Sequence, residues 1–141
     1  MSVTAQSERL SSKGPAYQRL TAWHASYALT LEVYRASARW PKVEQYGLTA
    51  QVRRSAVSVA ANIAEGAAKR GPAEFRRFLD ISLGSLSELR YLLELCRDLT
   101  ILSPEEWGEL EAKRDHAARL TWGLCQSIRL RADSRSGKAK V

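Results

Sequence analysis

Four stretches with helical spacing of apolar residues, each bounded by a proline or glycine signal, restrict this chain to an all-α fold. The dipeptides Trp40-Pro41, Gly71-Pro72 and Ser103-Pro104 separate the stretches. Proline lacks a backbone donor and disfavours a helical conformation in the residue before it, so one helix ends there and the next begins. No alternating polar and apolar run predicts a strand, and no internal repeat is present.

The first two stretches each carry one apolar stripe that we expect to face a shared core. The first helix is expected over 16–39, with the stripe Leu20, Trp23, Tyr27, Leu31 and Tyr34. The second helix is expected to be capped by Thr49 or Gly47, and its stripe is Leu48, Val52, Ser55, Val59 and Ile63. Its flank of small side chains predicts close packing on a neighbour: Ala56, Ala60, Ala61, Ala64, Ala67 and Ala68.

The third and fourth stretches are predicted to supply most of the core. The third is expected from Pro72 to about Leu99, with the apolar face Phe75, Phe78, Leu79, Leu83, Leu86, Leu89, Leu92, Leu93 and Cys96. Ser103 and Glu106 form a capping box around Pro104, which predicts the start of the fourth helix. Its inward residues are expected to be Trp107, Leu110, Ala117, Leu120, Leu124 and Ile128.

Short connections join these helices, which predicts an antiparallel up-down-up-down four-helix bundle forming one domain. Residues 1–15 are rich in serine and are expected to form a disordered arm before the bundle at 16–131. Residues 132–141 lose the apolar period and are expected to form a basic disordered tail.

A formal net charge of +7 indicates a surface that attracts polyanions. The basic residues fall on the second helix, around the turn into the third helix, and at the C-terminus. The candidates for nucleic-acid contact are Arg53, Arg54, Lys69, Arg70, Arg76, Arg77, Arg129, Arg131, Arg135, Lys138 and Lys140. The alternative is a solvated face and a solubilising tail, because Glu74 and Asp80 dilute the positive field.

Catalytic and metal-binding patterns are absent from the sequence. Neither His24 nor His116 has a glutamate three residues before it, as a carboxylate-bridged metal site in a bundle requires. Cys96 and Cys125 share predicted faces with leucines, which favours buried free thiols over nucleophiles. We therefore expect no enzyme activity, no metal and no cofactor. Without a secretory signal or an uninterrupted apolar span, a cytoplasmic protein that does not bind membranes is expected.

The segment Asn62-Ile63-Ala64-Glu65-Gly66 interrupts an apolar helix with two polar side chains and a glycine that costs about 1 kcal/mol relative to alanine. We interpret Asn62 and Glu65 as members of a buried or interfacial hydrogen-bond network with Arg53 or Arg54. The alternative is a catalytic role, which is disfavoured because one carboxylate alone supplies no acid/base pair. Gly66 is expected to admit a neighbouring backbone at close range.

Several segments resemble the bacterial "four helix bundle protein" family: Leu31 through Tyr34, Trp40-Pro41, Tyr46 through Thr49, Gln51 through Gly66, and Glu74 through Leu95. That family is related to proteins encoded in intervening sequences of 23S ribosomal RNA genes and to the accessory proteins of diversity-generating retroelements. The resemblance implies a ring-shaped homopentamer, with relatives that bind nucleic acid and a reverse transcriptase. It implies no catalytic residues, because the family has no established activity.

Self-association is also expected from the aromatic content, since one small core does not easily hide so many large rings. The candidates for the oligomer interface are Trp23, Trp40, Tyr46, Trp107 and Trp122. The leading hypothesis is a non-enzymatic homo-oligomer whose basic surface engages RNA or DNA, as an accessory to a nucleic-acid enzyme. The alternative is a structural or adaptor oligomer that docks another protein and binds no nucleic acid.

Overall fold

The structure, a computed structural model, describes residues 14–139 and contains four long helices in that part of the chain. They are α1 (Thr21–Ser37), α2 (Leu48–Ala67), α3 (Pro72–Asp98) and α4 (Pro104–Ala139). Short 3₁₀ turns at Ala16–Arg19 and Lys42–Glu44 precede α1 and α2. Each helix packs against the two beside it, with α1 and α4 closing the circle. The all-α bundle predicted from the sequence is confirmed.

Hydrogen bonds between neighbouring helices show that they run antiparallel. Ser55 Oγ donates to the carbonyl oxygen of Ser85 at 2.9 Å, and Ser82 Oγ donates to that of Val59 at 2.9 Å. As residue numbers increase along α2, the residue numbers of their partners on α3 therefore decrease. Thr30 Oγ1 donates in the same manner to Ala56 O, at 3.2 Å from α1 to α2. The serines are short enough to let α2 and α3 approach closely.

The core is aliphatic and runs the length of the bundle. Its fully buried members include Leu29, Val33, Val52, Val59, Ile63, Leu79, Leu86, Leu89 and Leu93. The stripes predicted for α2 and α3 lie in this core, with Leu48, Phe75 and Leu83 half-buried at its edge. On α4, Leu110, Ala117 and Ile128 are buried.

The stripe predicted for the first helix is wrong in part, since only its first two members, Leu20 and Trp23, pack against the core. The buried residues of α1 are Ala22, Ser26, Leu29, Val33 and Ser37. Tyr27, Leu31 and Tyr34 are exposed instead. The small side chains face inward because α1 packs closely on α2. The helix is also shorter than predicted, since residues 16–19 form a 3₁₀ turn and the α-helix ends at Ser37.

The helix boundaries follow the local signals, with one exception. Ser103 Oγ accepts from Glu106 N at 3.1 Å while Ser103 N donates to Glu106 Oε1 at 3.1 Å, so the predicted capping box is confirmed. These bonds hold the pKa of Glu106 below its usual range. Thr49 is not a cap: it is buried within α2, which follows Gly47, and Glu44 Oε2 accepts from Leu48 N at 3.3 Å.

The fourth helix corrects the predicted tail. Residues 132–139 are helical and continue α4 to Ala139, whereas a disordered segment from 132 was expected. The stretch contains no proline, and Ala132 and Arg135 are good helix formers, so the helix continues through it although Gly137 is a poor one. At 36 residues, α4 is longer than α3 with its 27. The predicted arm at 1–15 lies almost wholly outside the described residues.

Candidate nucleic-acid interface

Two of the three predicted basic groups meet at one end of the bundle, where the α2–α3 turn (residues 68–71) lies beside the last turns of α4. Lys69 from the turn and Arg131 and Arg135 from α4 line one open groove of about 560 Å³. We call the cations of this region the basic end: Lys69, Arg70, Arg76, Arg77, Arg129, Arg131 and Arg135. Lys140 lies outside the described residues, and Lys138 lies in the last helical turn.

The third basic group lies elsewhere. Arg53 sits near the start of α2, where its Nε donates to Ser37 Oγ at 2.7 Å and its guanidinium carbon lies 4.6 Å from the centre of the Tyr34 ring. Arg54 is exposed on the same helix. Since α2 runs from the opposite end towards the α2–α3 turn, neither residue joins the basic end. Arg53 holds α1 to α2.

Gly71 positions the groove by reversing the chain between α2 and α3. Its φ of +91° lies in the region that favours glycine, and Pro72 then occupies the first helical position. A Cβ placed on Gly71 would lie 3.9 Å from Arg135 Nη1, so the turn and the end of α4 are near neighbours. The groove depends on the unexpected extension of α4, which carries Arg135.

The floor of the groove is apolar. Phe75 and Pro72 contribute from α3, and Ile128 and Leu130 contribute from α4. Phe75 and Ile128 were predicted to lie in the core, whereas Leu130 was assigned no role from the sequence. The structure leaves Leu130 70% exposed. The only sequence signal for it is an apolar residue between two arginines.

Two acidic side chains near the basic end are engaged in contacts of their own, and Asp133 of α4 adds an exposed carboxylate between Arg131 and Arg135. Glu74 Oε2 lies 3.3 Å from Arg77 Nη2, and Asp80 Oδ1 accepts from Cys125 Sγ at 3.6 Å. Burial, followed by the Asp80 carboxylate, raises the pKa of the Cys125 thiol, while Arg76 and Arg129 oppose the shift. Cys125 is therefore a protonated thiol at neutral pH.

Gly66 and Asn62 support this end of the bundle in different ways. A Cβ on Gly66 would lie 2.8 Å from Phe78 Cβ and 3.0 Å from Phe75 Cδ1, so the predicted close approach is confirmed. Asn62 Nδ2 donates to Ser58 O at 2.8 Å and to Ser58 Oγ at 3.0 Å.

The partners predicted for this network are wrong. Ser58 Oγ pairs with Ser85 Oγ at 2.8 Å, so the network of Asn62 links α2 to α3 through serines and not through Arg53 or Arg54. Glu65 is exposed and its carboxylate makes no hydrogen bond within residues 14–139, where it was expected to join the network. An exposed carboxylate remains hydrated by solvent and needs no such partner.

The aromatic residues predicted to form an oligomer interface are scattered. Trp40 is buried inside the chain, which removes it from any surface. Trp23 and Trp107 are half-buried, with the Arg97 guanidinium carbon 4.4 Å from the Trp107 ring centre. Tyr46 and Trp122 are exposed on separate elements. The five therefore do not form one surface.

A continuous aromatic surface lies instead on α1 and the adjoining side of α2. Trp23 and Tyr27 stack with ring centres 5.0 Å apart, and Tyr17 lies 4.6 Å from Trp23. We call this surface the α1–α2 face. It comprises Tyr17, Trp23, Tyr27, Leu31, Tyr34, Val57, Ala61 and Ala64. The sequence analysis assigned most of its α1 residues to the core.

Arg114 is a buried cation that the sequence analysis missed. Its Nε and Nη2 each lie 2.7 Å from a carboxylate oxygen of Glu111, which forms a two-pronged ion pair. The spacing of three residues between them was the available signal. This pair lies in the middle of α4 and is structural.

Both cysteines of the chain lie in the described residues. Cys96 and Cys125 are free and buried, as predicted. Burial, with a smaller contribution from Glu44, raises the pKa of Cys96 to about 11. Between residues 14 and 139, no three His, Cys, Asp or Glu side chains are grouped to hold a metal ion. In that same part of the chain, no helix is apolar over enough length to cross a membrane.

Known proteins resemble this chain in sequence and in fold. A sequence model of the family described as "23S rRNA-intervening sequence protein" matches residues 18–123. A crystal structure of a protein of unknown function from the S23 ribosomal protein family of Bacteroides thetaiotaomicron is similar, with a TM-score of 0.68 and 21% sequence identity. The similarity covers 74% of this chain and 98% of that one, and it supports the fold. No curated protein gives a significant match.

Proposed function

The chain belongs to the 23S rRNA-intervening sequence protein family, and from that premise we propose that it is a non-enzymatic protein whose basic end binds RNA or DNA. The observation that carries this proposal is the convergence of Lys69 with Arg131 and Arg135 on one groove. Cations from distant parts of a chain that meet at one surface match the spaced negative charges of a phosphate backbone.

Most cations of the basic end are also outside ion pairs. Within the described residues, Arg77 is its one member in an ion pair, with Glu74. The other six have no carboxylate within 4.0 Å in that part of the chain. A cation without a carboxylate partner is available to a phosphate group, so these six residues support the proposal.

The experiment is a salt titration of binding, followed by fluorescence anisotropy of labelled RNA and DNA oligonucleotides. Each phosphate contact contributes about −0.7 to the slope of log K against log salt for a single strand. In the variant Arg131→Gln/Arg135→Gln, we expect the slope to fall in magnitude by about 1.4 and binding at low salt to weaken at least about tenfold. Both residues are exposed, so the fold is retained.

The matched control is Arg39→Gln/Lys42→Gln, which removes the same charge near the α1–α2 connection at the opposite end. We expect this variant to keep the wild-type slope. Two results would contradict the proposal: no association of the wild-type protein with any oligonucleotide at low ionic strength, or equal losses in both double variants.

We also propose that the chain self-associates through the α1–α2 face, as the ring-shaped homopentamer implied by the family resemblance. Support comes from the apolar and aromatic side chains that Tyr27, Leu31, Tyr34 and Val57 leave exposed side by side. Contiguous apolar surface of this kind marks protein interfaces.

Light scattering tests the assembly. The wild-type protein is expected at five times the 15.8 kDa chain mass, and Leu31→Lys is expected to reduce that mass. A wild-type mass of one chain would overturn self-association. If the protein assembles yet binds no nucleic acid, the adaptor alternative, in which the oligomer docks another protein, takes the place of the first proposal.

A further inference from the structure

The groove of the basic end joins an apolar floor to a charged rim. Leu130 and Pro72 belong to the floor, and Lys69, Arg131 and Arg135 stand around it. Leu130 is 70% exposed although it is apolar, because it lies on the outer side of α4 with Ser127, whereas Ile128 faces the core. Core packing therefore does not explain a leucine between Arg129 and Arg131. An apolar group of a ligand would remove it from water.

The size of the groove sets the size of the group that enters it. Its volume of about 560 Å³ falls within the range of on the order of 300–1,000 Å³ found for pockets that enclose one small molecule. One nucleotide is a group of that kind. The groove is open along one side, so a longer chain could pass through it and leave one unit on the floor.

Duplex and single-stranded nucleic acids differ in what they offer to such a groove. A duplex stacks its base faces inward and presents phosphates, sugars and base edges. A single strand exposes flat base faces beside its phosphates, and proteins that bind it combine cations with aromatic side chains on which the bases stack. The rim cations alone would bind the phosphates of either form. The apolar floor contacts an exposed base face and therefore favours the single strand.

We propose that this groove binds single-stranded nucleic acid, with one base on the floor formed by Pro72, Phe75 and Leu130 and the flanking phosphates on the rim cations. This inference rests on the proposed function and adds to it the form of the nucleic acid. Arginine pairs phosphate oxygens through two donors, which suits Arg131 and Arg135 on one side of the strand. Lys69 supplies the charge on the other side.

The test compares a fluorescein-labelled oligo(dT) strand with a hairpin duplex carrying the same number of phosphates. The wild-type protein is expected to bind the single strand about tenfold more tightly, since each base on an apolar platform adds stacking energy. Leu130→Ala is expected to weaken single-strand binding about fivefold, the factor that follows from losing apolar contact area. It should leave duplex binding and the salt slope unchanged, because no charge is removed.

The matched control is Val43→Ala, which shortens another exposed apolar side chain, 88% exposed at the opposite end of the bundle. It should change neither affinity. Circular dichroism establishes that both variants keep their helices. Competition with polyglutamate at equal charge concentration separates nucleic acid from acidic protein as the ligand, and weak displacement of oligo(dT) is expected.

Three outcomes would overturn the inference. Equal affinity for the single strand and the hairpin, with Leu130→Ala binding like wild type, would show that the groove does not bind a base. The basic end would then bind phosphates alone. Displacement by polyglutamate as efficient as displacement by oligo(dT) would point to an acidic protein partner. Failure to bind either oligonucleotide would remove the proposed function itself, and the inference with it.

Discussion

Replacing Leu29 with alanine is expected to lower the free energy of unfolding by about 3 kcal/mol, whereas the same change at Leu31 should cost less than about 1 kcal/mol. Leu29 is 0% exposed in the centre of the core, and its truncation leaves a cavity that close-packed neighbours fill only in part. Leu31 is 37% exposed on the α1–α2 face, where water replaces the lost atoms.

Urea denaturation followed by circular dichroism measures both values, at a protein concentration low enough to separate folding from association. The two variants lie on one helix and remove the same atoms, so each is the control for the other. A larger loss at Leu31 than at Leu29 would show that α1 presents its aromatic stripe to the core, as its spacing alone predicts, and that the observed rotation of the helix is wrong.

Replacing Gly66 with alanine is expected to destabilise the bundle by about 1–2 kcal/mol, although alanine is the better helix former by about 1 kcal/mol. The new Cβ would lie 2.8 Å from Phe78 Cβ and 3.3 Å from the carbonyl oxygen of Phe75. Both atoms are fixed by the backbone of α3, so the two helices must separate. Phe75 would move with them, and so would the floor of the groove.

Gly84→Ala is the matched control for Gly66→Ala. Gly84 lies inside α3 with no atom within 4 Å of an added Cβ, so the same substitution is expected to stabilise the protein by about 0.5–1 kcal/mol. Thermal and urea unfolding of the two variants should therefore shift in opposite directions. A stabilising effect of Gly66→Ala would contradict the close crossing of α2 and α3.

The number and order of the helices could be predicted because their ends are encoded locally. Pro41, the Gly71-Pro72 pair and the capping box of Ser103 with Glu106 each act within a few residues, and the structure places helix ends at or near all of them. The predicted end of the last helix was wrong because no proline marks it. The apolar period is lost after 131, but α4 continues to Ala139 without it.

The rotation of α1 could not be predicted from periodicity, because this helix has two apolar sides. One side carries small Ala22 and Ser26 together with Leu29 and Val33, and the other is aromatic. The larger side chains favour the aromatic side when the sequence is considered alone, yet close packing against α2 selects the side that carries Ala22 and Ser26. The hydroxyl of Ser26 is satisfied inside the helix by the carbonyl oxygen of Ala22 at 2.7 Å, which lets it be buried.

The charged residues of the candidate site could be predicted from the sequence, but their arrangement in space could not. Lys69 and Arg135 are 66 positions apart in the sequence, and only the antiparallel packing of α3 and α4 brings them to one groove. Arg53 was also predicted to contact nucleic acid, but its side chain forms a hydrogen bond between helices α1 and α2. Leu130 escaped notice because exposure cannot be read from a single apolar residue in a basic stretch.

Photochemical cross-linking tests most directly whether the basic end is the surface that holds nucleic acid. A single strand carrying 4-thiothymidine is irradiated with the full-length protein at low salt, and the modified peptides are identified by mass spectrometry. Cross-links are expected in the α2–α3 turn, in the first turn of α3 and in α4 from Ile128 onward, and they should fade as salt rises. Cross-links confined to the α1–α2 face, or to the end of the bundle near Lys42, would contradict the assignment of nucleic-acid binding to the basic end.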